Sequence, residues 1–157
     1  MNKKNTLLLF LCLFCLWAVA QEKKPVKIAC VGNSITYGSG IKNQFQNSYP
    51  GLLSQLLGEG YDVRNFGISA RVMLNKGDHP YMHEQKFRDL LAFQPDIVTI
   101  KLGTNDSKPW NWHYGKDFGK DLTEMLDILQ DLPSKPKIYL CFPVPAVKRN
   151  FGINDSV

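Results

Sequence analysis

The chain is poor in cysteine, and its cysteines are not placed to pair. It has four cysteines in 157 residues, and two of them, Cys12 and Cys15, lie in an apolar N-terminal segment. The other two, Cys30 and Cys141, lie in apolar runs typical of strands. If a third strand separates these two, they stand about 9–10 Å apart, beyond disulfide reach. We therefore expect two buried free thiols, and no cysteine spacing typical of a metal site.

The chain also lacks a strong charge of either sign. Its 19 Lys and Arg residues against 14 Asp and Glu residues give a formal charge of +5. Residues 1–20 hold two of the basic residues and no acidic one, which leaves +3 for the rest. This charge is too mild to indicate nucleic acid or a membrane surface as a partner. Repeats, low-complexity segments, a G-x-G-x-x-G motif and a Walker lysine are all missing, which disfavours a nucleotide binder.

Residues 1–20 have the pattern of a cleavable export signal. Two lysines precede an apolar run, residues 6–17, that is too short to span a bilayer comfortably, and a small-x-small motif ends at Ala20. We expect cleavage after Ala20 and a secreted or periplasmic protein without stable membrane association. An uncleaved membrane anchor is the alternative. Residues 21–157 then form one domain with a modest core.

Four apolar runs typical of strands alternate with helical patterns. The strands are predicted at residues 26–31, 61–65, 97–102 and 137–142, and the helices at residues 49–57 after a Ser48 cap, at about 82–92 and at about 118–129. This alternation predicts an α/β protein with right-handed crossovers and a doubly wound parallel sheet. In such a sheet the active crevice lies beyond the carboxyl ends of the strands.

Three polar motifs follow the ends of the first three strands. Ser34 in GNS opens a strand-to-helix turn, where an α/β fold exposes a nucleophile whose own N–H is unpaired. Gly67 in NFGIS is placed to offer a second backbone N–H, and Asn105 in KLGTND a side-chain amide. Three such donors form an oxyanion hole for acyl transfer. Each motif alone is equally typical of a helix cap or a turn, but their order at three strand ends favours a catalytic site.

Together these motifs resemble the SGNH/GDSL family of serine esterases and acylhydrolases. The resemblance implies a flavodoxin-like three-layer α/β/α sandwich, in which the second strand lies outside the first and the third beside it. It also implies that Ser34 is the nucleophile, that Ser34, Gly67 and Asn105 hold the oxyanion, and that no cofactor or metal is needed. Asn33 replaces the commoner aspartate. Exported proteins of this kind resemble sialate O-acetylesterases, so the expected substrate is an O-acetyl ester, small or on a glycan.

The family's fourth motif, an Asp-x-x-His that supplies the general base, has no match in the chain. The three histidines are His79, His83 and His113, and none follows the fourth predicted strand. The simplest interpretation is a hydrolase domain, residues 21–157, that is incomplete at its C-terminus and lacks its last strand, last helix and base. The alternative is a non-catalytic carbohydrate-binding protein that has lost its base.

An aromatic loop, PWNWHY, follows the third motif. We predict that Trp110 and Trp112 in this loop contact a sugar ring, and that Asn33 beside the nucleophile also contacts the substrate. The alternative for the tryptophans is a hydrophobic plug beneath a long loop. Residues 77–81, which follow the second motif, are expected to line the opposite wall of the site.

Overall fold

The computed structural model describes residues 24–144 and 152–153, so the predicted export signal lies outside the described residues. One sheet of parallel strands forms the centre of this part of the chain. Its strands are β1 Val26–Gly32, β2 Tyr61–Gly67, β3 Ile97–Lys101 and β4 Lys137–Leu140, in the order β2-β1-β3-β4. The predicted α/β class and the predicted strand order are both confirmed.

Helices connect every pair of successive strands. They are α1 Ser34–Tyr37, α2 Gln44–Asn47 and α3 Tyr49–Leu57 before β2, α4 Gln85–Phe93 before β3, and α5 Pro109–Trp112 and α6 Phe118–Gln130 before β4. The three longer helices lie where the apolar periodicity predicts them. The four-residue helices α2 and α5 were not predicted, because a single turn is too short to show a periodic pattern.

The sheet separates two layers of helices. Alternate residues of β1, such as Ala29 and Val31, face the main core, which α4 and α6 complete with Phe87, Leu90, Met125 and Leu129. Cys30 points to the opposite face. There the hydroxyl of Tyr49, at the start of α3, lies 3.0 Å from Thr99 Oγ1 on β3. This arrangement is the predicted three-layer sandwich.

The cap of α3 and the two cysteines lie at the positions predicted for them. Ser48 precedes α3 as predicted, but its hydroxyl makes no capping hydrogen bond. Both thiols are free and Cys30 is buried, as predicted, but Cys141 is only half-buried because it follows the edge strand β4. Strand β3 lies between them, which keeps them apart.

The strand β4 is more exposed than its apolar sequence suggests. Tyr139 is 45% and Leu140 53% exposed, while Ile138 packs against the core. The reason is that β4 is the edge strand of the sheet within the described part of the chain.

No helix among residues 24–144 and 152–153 is long and apolar enough to cross a membrane.

Candidate active site

The three polar motifs meet at one edge of the sheet. Gly32, the last residue of β1, pairs with Gly67 at the end of β2 and with Lys101 at the end of β3. A side chain at Gly32 would lie 2.1 Å from Thr36 Oγ1 and 2.8 Å from the Lys101 carbonyl oxygen. Only glycine therefore lets the helix α1 begin directly above this edge.

Ser34 is the first residue of α1 and lies directly beyond the end of β1. Its side chain is half-buried. Within residues 24–144 and 152–153, neither its hydroxyl nor its backbone N–H has a hydrogen-bond partner. None of His79, His83 and His113 hydrogen-bonds to Ser34. The hydroxyl is therefore available to a reacting group, and no base is hydrogen-bonded to it in the described part of the chain.

Asn33 occupies the cap position of α1 and not a substrate-facing one. Its side chain is fully buried, and its Oδ1 accepts a 3.0 Å hydrogen bond from the N–H of Ile35. This is the role of a helix N-cap. Its Nδ2 has no partner among the described residues. The predicted substrate contact of Asn33 does not fit this buried cap position.

Gly67 has a packing role that the sequence pattern did not reveal. Its N–H donates a 2.9 Å hydrogen bond to Asn65 Oδ1, so this donor is already used. A Cβ at Gly67 would lie 2.3 Å from the backbone nitrogen of Tyr37. The glycine is required because α1 crosses β2 at this point. The expectation that Gly67 offers a free oxyanion donor does not fit this arrangement.

Asn105 follows β3 and is 5% exposed. Its Nδ2 donates to the Arg71 carbonyl oxygen at 3.1 Å. Because a primary amide carries two N–H protons, one proton remains for an oxyanion. The backbone carbonyl of Asn105 in turn accepts a 3.0 Å hydrogen bond from Asn111 Nδ2. Asn105 is thus held at its side chain and at its backbone, as a preorganised donor should be.

The next residue, Asp106, joins the loop after β3 to the loop after β2. Its fully buried carboxylate accepts hydrogen bonds from the N–H groups of Met73 at 3.0 Å and Leu74 at 2.8 Å. Burial raises the pKa of Asp106 above its ordinary value, although these N–H groups favour the carboxylate. The two loops that frame the site therefore form one unit.

Sequence reasoning missed Ala70, which makes the turn after β2. Its φ of 67° lies in the left-handed region that alanine rarely adopts. The Arg71 side chain reaches back across this turn to the Ser69 carbonyl oxygen at 3.0 Å and pairs with Glu84 at 2.8 Å. The turn brings the Arg71 carbonyl to Asn105, and the Ala70 N–H has no partner among the described residues. No sequence signal indicated it, because alanine is not a turn residue.

The two predicted aromatic contacts have different surroundings. Trp110 is 54% exposed, and its Nε1 donates to Asp78 Oδ2 at 3.1 Å. The Trp112 ring instead packs 6.0 Å from the Phe118 ring and lies against Gly115. Trp112 matches the predicted plug, and Trp110 remains available at the surface. The loop holding Asp78 contacts Trp110 directly, so this part of it does not line an opposite wall as expected.

Metal ligation has no support in this part of the chain. No group of three or more His, Cys, Asp or Glu side chains among residues 24–144 and 152–153 is arranged to hold a metal ion. The functional groups that the described site offers are therefore a hydroxyl, amide N–H groups and an indole ring.

The sequence profile of the GDSL-like Lipase/Acylhydrolase family matches residues 30–156, which is most of the chain. The chain belongs to this family. A curated relative of this GDSL-like protein is an acetylxylan esterase from Xylanibacter ruminicola, 50% identical over 155 residues. The alignment covers 88% of this chain but 32% of the relative, so the chain spans about a third of that protein.

Solved structures show the same GDSL-like fold. The inhibitor-bound aryl esterase of M. smegmatis superposes with a TM-score of 0.63 at 22% identity, covering 76% of this chain and 65% of that one. AlinE4, an SGNH-hydrolase family esterase, superposes with a TM-score of 0.55 at 23% identity, covering 76% of this chain and 60% of that one. At these identities the likeness establishes the fold alone.

Proposed function

We propose that this chain carries the nucleophile and oxyanion donors of an exported serine esterase that removes acetyl groups from carbohydrate. The observation that carries the proposal is the unpaired Ser34, placed beyond β1 with Asn105 beyond the adjacent strand β3. The 50% identity to an acetylxylan esterase favours acetylated xylan over an O-acetylated sialic acid as the substrate. The export-signal pattern of residues 1–20 supports a location outside the cytoplasm.

The proposed reaction is acyl transfer through a Ser34 ester. Ser34 Oγ attacks the ester carbonyl carbon as a base removes its proton, and the carbonyl oxygen becomes an oxyanion. The Ser34 N–H and the free Asn105 amide proton hold this oxyanion. The Gly67 N–H is bonded to Asn65, so the N–H of Ala70 in the turn after β2 is an alternative second backbone donor. The sugar hydroxyl then leaves with the proton, and water hydrolyses the acyl-enzyme.

The base is proposed to be a histidine of a longer protein. None of the chain's three histidines hydrogen-bonds to Ser34, and the chain spans 32% of the acetylxylan esterase that it resembles. The same observation keeps open the second candidate, a carbohydrate-binding protein without a base. The esterase would bind and hydrolyse the acetylated carbohydrate, whereas the binding protein would bind it without hydrolysis.

The deciding experiment uses the full-length protein and its Ser34→Ala variant with 4-nitrophenyl acetate and acetylated xylo-oligosaccharides. We expect Ser34→Ala to lower kcat by about 10⁴-fold or more and Asn105→Ala by roughly 10²–10³-fold. Ser54→Ala, on helix α3, is the matched control and should leave turnover unchanged. Retained turnover in Ser34→Ala would remove Ser34 from the mechanism. Binding of the oligosaccharide without hydrolysis by the unmodified protein would establish the second candidate instead.

A further inference from the structure

The exposed indole of Trp110 is fixed by a carboxylate from another loop. Trp110 lies on α5, and its Nε1 donates to Asp78 Oδ2 across 32 positions of the chain. Lys108 Nζ lies 5.6 Å from the Trp110 ring centroid, and Gly152 lies beside the ring. With 54% of the residue exposed, ring surface remains open to a ligand. An indole N–H can only donate, so an aspartate acceptor sets one orientation of the ring.

The other carboxylate oxygen of Asp78 is linked through Asn111 to the backbone of Asn105, the proposed oxyanion donor. Asp78 Oδ1 accepts a 3.1 Å hydrogen bond from Asn111 Nδ2, and the Asp78 N–H donates to Asn111 Oδ1 at 2.9 Å. The second Nδ2 proton of Asn111 goes to the Asn105 carbonyl at 3.0 Å. Asn111 is 1% exposed. All its amide groups are thus used to join Asp78 to the backbone of Asn105.

The close packing of the Asp78 loop shows that this arrangement is built and not incidental. A Cβ at Gly77 would lie 2.6 Å from Val72 Cγ2 and 3.1 Å from Asn111 Oδ1. Only glycine next to Asp78 therefore lets the loop approach Asn111 closely enough for both hydrogen bonds.

We propose that Asp78 is a positioning residue for carbohydrate specificity, which holds the Trp110 indole as a platform for a sugar ring next to the ester-cleaving centre. This inference rests on the proposed function. An aromatic face with its N–H already bonded offers apolar contact to the C–H face of a sugar. A ring fixed before binding loses less conformational freedom when the sugar arrives. Asn111 sets the platform at a constant distance from Asn105.

The test compares a substrate that has a sugar ring with one that lacks it. In the full-length protein, Asp78→Ala should raise KM for an acetylated xylo-oligosaccharide about 10-fold, a clearly larger loss than the same substitution causes with 4-nitrophenyl acetate. Asp78→Asn, which keeps one acceptor oxygen, should give an intermediate KM. Asp127→Ala, an exposed aspartate of α6, is the control and should match the unmodified protein on both substrates.

A double-mutant cycle separates positioning from a general loss of stability. Because Asp78 acts through Trp110, Asp78→Ala should add little to the KM of Trp110→Ala. Equal losses on the two substrates, an unchanged oligosaccharide KM, or fully additive effects would each overturn the proposal. If the unmodified protein shows no hydrolysis at all, the proposed function fails. The oligosaccharide Kd of the unmodified protein and of Asp78→Ala then decides this inference, and equal Kd values or no binding would reject it.

Discussion

Asp106 and Leu74 are 32 residues apart in the chain, yet the carboxylate of one accepts the backbone N–H of the other at 2.8 Å inside the protein. With the parallel bond to Met73, this contact joins the two loops that carry Asn105 and Asp78. A buried carboxylate with two N–H donors is stabilised by charge-assisted hydrogen bonds. The geometry of the site therefore depends on a side chain that takes no part in the proposed reaction.

Replacing Asp106 by asparagine should destabilise the fold. Asparagine has one acceptor oxygen, so its NH₂ group would face a buried N–H of Met73 or Leu74. We expect the free energy of unfolding to fall by about 2–3 kcal/mol, as measured by urea denaturation of the full-length protein. Asp127→Asn, on the exposed face of α6, is the matched control. An unchanged denaturation midpoint for Asp106→Asn would contradict the role given to this carboxylate.

Two glycines in and beside β2 should respond oppositely to alanine. Gly67→Ala places a Cβ 2.3 Å from the Tyr37 nitrogen, a backbone atom that cannot turn away. The expected loss is roughly 1–3 kcal/mol or more. Gly60→Ala meets nothing within 4 Å and should be neutral or slightly stabilising. Thermal unfolding of both variants is the measurement, and equal melting temperatures would show that α1 does not constrain Gly67.

Ala70→Gly should stabilise the protein. Alanine in the left-handed region costs roughly 1–2 kcal/mol, and glycine avoids this cost but loses more chain entropy on folding. The expected net gain is therefore about 1 kcal/mol or less, seen as a higher melting temperature. Turnover of 4-nitrophenyl acetate should persist, because the backbone N–H is retained. A lower melting temperature would mean that the alanine methyl group makes a packing contact worth more than the strain.

The hydrogen bond from Trp110 to Asp78 should not depend on pH in the neutral range. Burial opposes ionisation of Asp78, but hydrogen bonds from Trp110 and Asn111 outweigh it and lower the pKa of this carboxyl below its ordinary value. Because the pKa of Asp78 is lowered, its carboxylate is fully ionised above the ordinary aspartate range. Its hydrogen bonds are lost only as the pH falls through this lowered pKa. KM for an acetylated xylo-oligosaccharide should therefore be flat from about pH 5 to 9. A KM that rises below pH 6 in the unmodified protein, but not in Asp78→Asn, would refute this.

The sequence predicted the strands and helices of the protein better than the hydrogen bonds of its candidate site. Continuous apolar runs identify β1 and β3 because buried parallel strands are apolar on both faces, and the strand ends locate Ser34 and Asn105. Gly67 was misjudged because a glycine at a strand end fits both a free N–H and a close helix crossing. The roles of Asp78 and Asn111 and the turn at Ala70 were missed, because bonds between residues more than 30 positions apart, and a left-handed alanine, leave no periodic pattern.

Asp106 accepts hydrogen bonds from backbone N–H groups of the loop after β2. These hydrogen bonds therefore do not depend on which side chains stand at positions 73 and 74. Any residue except proline supplies the required N–H. Within residues 75–80, positions other than Gly77 and Asp78 can therefore change while the loop keeps its path. A loop anchored in this way can exchange exposed side chains around the proposed ester site without moving the backbone that carries Asn105.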